Sequence, residues 1–102
     1  MLIFHLKKEW FEKVKSGEKT HEYRELTPYW FERVEKLKWA MKENTIIIAL
    51  CSGYPAQKEF ETKSKRIVYA ELKNISVVDG KNTDLKIDRK VFDIKFELLG
   101  EK

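Results

Sequence analysis

Between Phe92 and Leu98 the chain alternates apolar with charged residues: Phe92, Ile94, Phe96 and Leu98 against Asp93, Lys95 and Glu97. A period of two suits a strand with one wet face and one buried face. It does not suit a helix, whose faces recur about every 3.6 residues. Such a strand cannot stand alone, so the rest of the chain must supply neighbours for its edges and a cover for its apolar face.

The neighbours can be read from the same kind of pattern. Met1 to Leu6 reads as a first strand, with Leu2, Phe4 and Leu6 on one face and Ile3 and His5 on the other. Thr20 to Arg24 reads as a second strand, and Thr45 to Cys51 as the most apolar strand, central in the sheet. Arg66 to about Val77 reads as a strand pair or one long bent strand. Val68, Ala70 and Leu72 alternate, then the apolar phase moves to Ile75 and Val77, which a bulge near Asn74 would explain. Leu85 to Ile87 has the makings of a short strand.

Two segments carry the helical period instead. Lys8 to Ser16 gathers Trp10, Phe11 and Val14 on one side, and Gly17 is placed to end it. Thr27–Pro28 offers a cap and a first-turn proline to a helix running to about Lys42, with Trp30, Val34, Leu37 and Met41 at helical spacing and Phe31 beside them. Trp30 belongs with that core stripe. Ser52 to Pro55 forces a turn, and Ala56 to Lys65 reads as an exposed loop suited to a lid or a binding role. Two helices cannot cover both faces of so much sheet. The expectation is one α+β domain over 1–102, with a mixed or antiparallel curved sheet, partly closed, and helices at its side or end.

Composition narrows the function classes. The net charge is +4, from 21 basic and 17 acidic residues, which permits contact with nucleic acid phosphate without demanding it. The single cysteine, Cys51, lies in an apolar run, excludes an internal disulfide, and reads as a buried small side chain. No leader pattern opens the chain and no apolar run approaches the ~20 residues of a membrane span, so a cytoplasmic protein without membrane contact is expected. Four glycines build neither a dinucleotide fingerprint nor a phosphate loop. His5 and His21 lack metal-ligand spacing, and neither a metal nor a cofactor is expected. His21 reads as an ordinary surface histidine.

The densest set of functional groups runs from Gly17 to Arg24. Glu22 and Arg24, two apart, share a strand face that must meet solvent or a polar cleft. Arg24 can grip a phosphate or carboxylate bidentately, Glu22 can accept from an amino edge or act as a base, and Lys19 can add a point charge. Glu22 and Arg24 can equally pair with each other. Tyr54, after the central strand, offers stacking or a hydroxyl, and Ser52 another hydroxyl. Arg33, Lys58, Lys63, Lys65 and Arg66 can form a phosphate track, or a solvated face shared with Glu59 and Glu61.

Leu6 through Arg24, with its helix, the Ser16-Gly17-x-Lys19-Thr20 turn and Glu22-x-Arg24, resembles the opening signature of the ASCH superfamily. The likeness continues more loosely through Tyr29-Trp30-x-x-Arg33 and Gly53-Tyr54. It implies a PUA-like β-barrel with two flanking helices, an association with RNA binding and modified-nucleoside chemistry, and a cleft lined by Lys19, Glu22 and Arg24. Some relatives are amidohydrolases of an acylated cytidine, with a lysine matching Lys19, a threonine where this chain has Glu22, and a later glutamate. This chain departs at the threonine. Three functions follow as expectations: an RNA- or nucleotide-binding module using Lys19, Glu22, Arg24, Ser52 and Tyr54; an amidohydrolase in which Lys19 and Glu22 handle protons; or a structural or protein-binding domain.

Overall fold

The structure, a computed structural model, describes residues 1–100. It is α+β, with five strands and two α-helices: β1 (Ile3–Leu6), α1 (Lys8–Lys15), β2 (His21–Glu25), α2 (Pro28–Met41), β3 (Ile47–Ser52), β4 (Ile67–Asp79) and β5 (Lys90–Leu98). Short 3₁₀ turns cover Gln57–Glu61 and Gly80–Asn82. The strands hydrogen-bond in the order β1-β3-β4-β5-β2, with no β1–β2 ladder among the described residues, so the sheet is mixed and its ladder open. No helix among the described residues is long and apolar enough to cross a membrane.

The residues group into two compact units. The first comprises Met1–Thr20, Ile47–Glu71 and the chain from Glu97. Here β1 runs parallel to β3, pairing Ile3 with Ala49 and Leu6 with Ser52, and β4 runs antiparallel on the other side, pairing Ile48 with Ala70. A strand with partners on both edges is interior, and the apolar run Ile48, Ala49, Leu50 and Cys51 is wholly buried. On α1, Phe11 and Val14 are buried while Trp10 is half-buried, as its periodicity requires. Ser16 caps its end, and Gly17 turns the chain at φ 86°, a conformation that only glycine adopts without strain. A small cluster of Ala49, Cys51 and Ile67, with Ile3, Phe60 and Tyr69 against it, binds the 3₁₀ turn to the strands.

The second unit comprises His21–Ile46 and Leu72–Phe96. Its β2 is antiparallel to β5, with Glu22 opposite Ile94 and Arg24 opposite Phe92. In β5 the alternation holds: Phe92, Ile94 and Phe96 are buried, Lys95 and Glu97 exposed. Thr27 caps α2 by accepting from the Trp30 N–H at 3.3 Å, with Pro28 at the first helical position. The helix stripe is less deeply covered than its spacing predicts. Val34 is buried, Trp30, Leu37 and Met41 are half-buried, and Phe31 is exposed on one side while its ring meets Phe92 edge-on at 5.2 Å.

β4 is one long strand that runs from the first unit into the second. Its phase change is where the sequence puts it. Leu72 and Ile75 are buried, and the consecutive residues Lys73 and Asn74 between them are both exposed, so one extra residue enters the alternation. The expected strand at Leu85–Ile87 does not form. That stretch closes a turn instead: the Thr83 hydroxyl donates to the Gly80 carbonyl at 2.8 Å and accepts from the Leu85 N–H, while the Ile87 N–H returns to Gly80. These bonds satisfy the backbone locally and leave no ladder for a strand to extend.

Candidate functional site

In the second unit β2 projects Glu22 and Arg24 from one face, and the two side chains form an ion pair. The face does not meet open solvent as the charges suggest. Glu22 is 6 % exposed, and the Arg24 side chain keeps a quarter of its surface. The reason is mutual neutralisation: each charge supplies the partner that burial demands of the other. The Arg24 guanidinium also lies 5.2 Å from the centre of the Trp30 ring, so a carboxylate and an indole hold its plane. Nearby, Arg33 folds back on its own helix, over Tyr29 at 3.4 Å and donating to the Tyr29 carbonyl.

His21 and Tyr23 occupy the opposite face of β2 with their rings parallel. His21 is no plain surface histidine. Its Nδ1 lies 2.6 Å from Asp93 Oδ1 on β5, and both groups are largely shielded. Burial first, then the carboxylates of Asp93 and Asp84, push the Tyr23 phenol above its usual range, so it stays protonated and a donor.

In the first unit Lys19 sits beyond the α1 turn, with Nζ 5.5 Å from the Trp10 ring, which Lys13 also approaches at 4.9 Å. At the exit of β3, Gly53 adopts φ 66° and Tyr54 is thrown outward, 81 % exposed. It is nonetheless ordered. Its ring stacks on His5 of β1 with centroids 4.3 Å apart and planes 19° from parallel. His5 Nδ1 lies 2.8 Å from the Gly53 carbonyl; a carbonyl only accepts, so Nδ1 carries the proton. Ser52 contributes its backbone: its carbonyl accepts from Arg66 Nε and a terminal nitrogen of Arg66, at 3.2 and 3.0 Å. The Arg66 guanidinium also approaches Glu59 at 3.8 Å.

The segment Ala56–Lys65 is more structured than a plain loop. Glu59 accepts from the Ala56 N–H at 2.8 Å and from the Ser64 hydroxyl at 3.1 Å, and Ser64 accepts in turn from the Arg66 N–H. The Ala56 N–H above all holds the Glu59 carboxyl below its usual range; burial opposes it, and the Ser64 hydroxyl and the Arg66 and Lys58 charges add to the lowering. Lys58, Lys63 and Lys65 are exposed along this segment, while Arg66 is turned back onto Ser52. Cys51 is fully buried, and burial pushes its thiol up to about 11 despite the Arg66 charge, so it is no nucleophile at neutral pH. No group of three His, Cys, Asp or Glu side chains among the described residues is placed to hold a metal ion.

Of the residues singled out in the sequence, the fold joins Glu22 to Arg24, and Ser52 to Arg66. Lys19 belongs to the first unit, Glu22 and Arg24 to the second. The partners that order these groups, His5 under Tyr54, Trp10 beside Lys19 and Asp93 on His21, come from other elements and leave no sequence signal beyond their own residue types. Comparison with family models, with curated proteins and with solved structures finds no match for this chain.

Proposed function

We propose that this chain is an RNA- or nucleotide-binding module of the ASCH, PUA-like kind that its opening segment resembles. The observation that carries the reading is Tyr54. A tyrosine displayed to solvent yet held flat against His5 offers an unpaired base a ready stacking surface. Because the ring is already ordered, stacking on it costs little further entropy. Arg66, braced on the Ser52 carbonyl with half of its side chain exposed, supplies a cation to the same unit. In the second unit, Arg24 is oriented by Glu22 and Trp30 in the manner that suits a planar fork reading a phosphate or a base acceptor edge. Lys19, beside the Trp10 ring, adds a positive charge in the first unit. Glu22 is buried and engaged with Arg24, an arrangement that orients the guanidinium for recognition.

Fluorescence anisotropy with a pool of labelled single-stranded RNA tests this. Binding is expected at low salt and should weaken as salt rises, with a log–log slope of about −0.7 per phosphate neutralised. Tyr54→Ala should cost about 1–3 kcal/mol of binding, about five- to 150-fold, with no change in thermal midpoint because the ring is exposed. Arg24→Lys, which keeps the charge opposite Glu22 but loses the fork, should weaken binding several-fold. Absence of binding to the pool at low salt would remove the proposal. Turnover of an acylated nucleoside, lost in Lys19→Ala, would replace binding with catalysis.

A further inference from the structure

The first unit contains a cavity of about 920 Å³ that shares Lys63, Ser64 and Lys65 with the segment described above, but none of the residues assigned to RNA recognition. Its size lies at the roomy end of the ~300–1,000 Å³ typical of small-molecule sites. Ile47 at the start of β3, Val68 and Tyr69 on β4, and Leu98 and Leu99 at the end of β5 give it a mainly aliphatic wall. Around that wall stand Lys15, from the last turn of α1, and Lys63 and Lys65, from the segment before β4. No carboxylate among the described residues contributes to the lining. The three lysines are exposed and make no ion pair among the described residues. Two of the lining hydroxyls are already engaged: Ser64 donates to Glu59, and Thr62 donates to the Lys58 carbonyl at 3.5 Å. The charged groups that a ligand meets are therefore cationic, beside the Tyr69 phenol.

The walls are fixed before any ligand arrives. The Leu99 N–H donates to the Tyr69 carbonyl at 3.0 Å, tying the end of the β5 segment to β4. Ser64, between Glu59 and the Arg66 N–H, fixes the segment that carries Lys63 and Lys65. An aliphatic wall gains from burying an apolar body, and lysines with no ion pair among the described residues gain from an anionic head.

We propose that this cavity binds a small free organic anion with an aliphatic body, of the medium-chain carboxylate class, with its chain along Val68, Leu98 and Leu99 and its head among Lys15, Lys63 and Lys65. The proposal stands apart from RNA binding, and its test uses none of the residues assigned to stacking. The full chain is titrated calorimetrically with decanoate kept below micelle formation. Acetate, decyltrimethylammonium and vesicles of anionic phospholipid are run in parallel. Decanoate should bind at sub-millimolar concentration. Acetate, which lacks the body, and the cationic amphiphile, which reverses the head, should each bind about tenfold more weakly or worse. Lys63→Gln combined with Lys65→Gln should weaken decanoate about tenfold. Leu99→Gln, at a half-exposed position that the fold tolerates, should weaken it several-fold with an unchanged melting midpoint. Equal binding of the cationic amphiphile, binding of acetate as tight as that of decanoate, or capture of vesicles without binding of free decanoate would each overturn the assignment.

Discussion

Replacing Glu22 with alanine is expected to destabilise the protein by about 3 kcal/mol, read as a lowered urea midpoint at constant slope. The carboxylate is 6 % exposed and is ion-paired with Arg24, whose guanidinium also rests against Trp30. Removing the carboxylate leaves a partly buried cation without its counter-charge. The loss falls at the low end of the ~3–5 kcal/mol range for broken buried pairs, because Arg24 keeps a quarter of its side-chain surface and can turn toward water. Glu22→Gln retains an acceptor and the side-chain volume, and should lose about half as much. Removing both partners together, Glu22→Leu with Arg24→Met, should return stability to within about 1 kcal/mol of the parent, because the desolvation penalty leaves with the pair. A single alanine variant as stable as the parent would show that the pair is solvated in solution, and the oriented guanidinium proposed for recognition would lose its support.

Phe96→Ala is expected to cost about 3–5 kcal/mol, the usual loss when a fully buried aromatic ring is truncated to a methyl group. Phe96 is 2 % exposed in the most regular strand of the fold. Its neighbour Lys95 lies on the wet side of the same strand, and Lys95→Ala should stay within about 0.5 kcal/mol of the parent. The contrast between adjacent residues is the measurable form of the two-residue period. Comparable losses at both positions, in chemical denaturation, would mean that β5 is covered on both faces.

That period is why β5 was legible in the sequence while other parts were not. An alternation such as Phe92, Ile94, Phe96 records burial on one side directly, and the phase change in β4 is a fault in the same record, visible as the step from Leu72 to Ile75. Thr27–Pro28 was legible because a cap is a local bargain between a hydroxyl and the N–H three residues on. Glu22 was not. Its placement on a face with Arg24 follows from the spacing, but its burial depends on a neutralising contact whose surroundings come from α2 and β5. Leu85–Ile87 misled because three residues carry too short a pattern to compete with the bonds that Thr83 makes to the backbone. The cavity was hidden for another reason. Lys15 is far in the chain from Lys63 and Lys65, and only the fold of α1 and the segment before β4 places them around one wall.

Cys51 turns β3 into its own gauge. The thiol is sealed between two ladders and held protonated well above neutral pH. An alkylating reagent therefore has almost nothing to attack until the strand parts from its neighbours and the thiol regains its ordinary acidity. The labelling rate at neutral pH counts those openings. It should climb with urea long before the bulk unfolding signal moves if the strand opens on its own, and in step with that signal if it opens only when the whole fold does. The chain carries one cysteine, so the count comes from a single known depth.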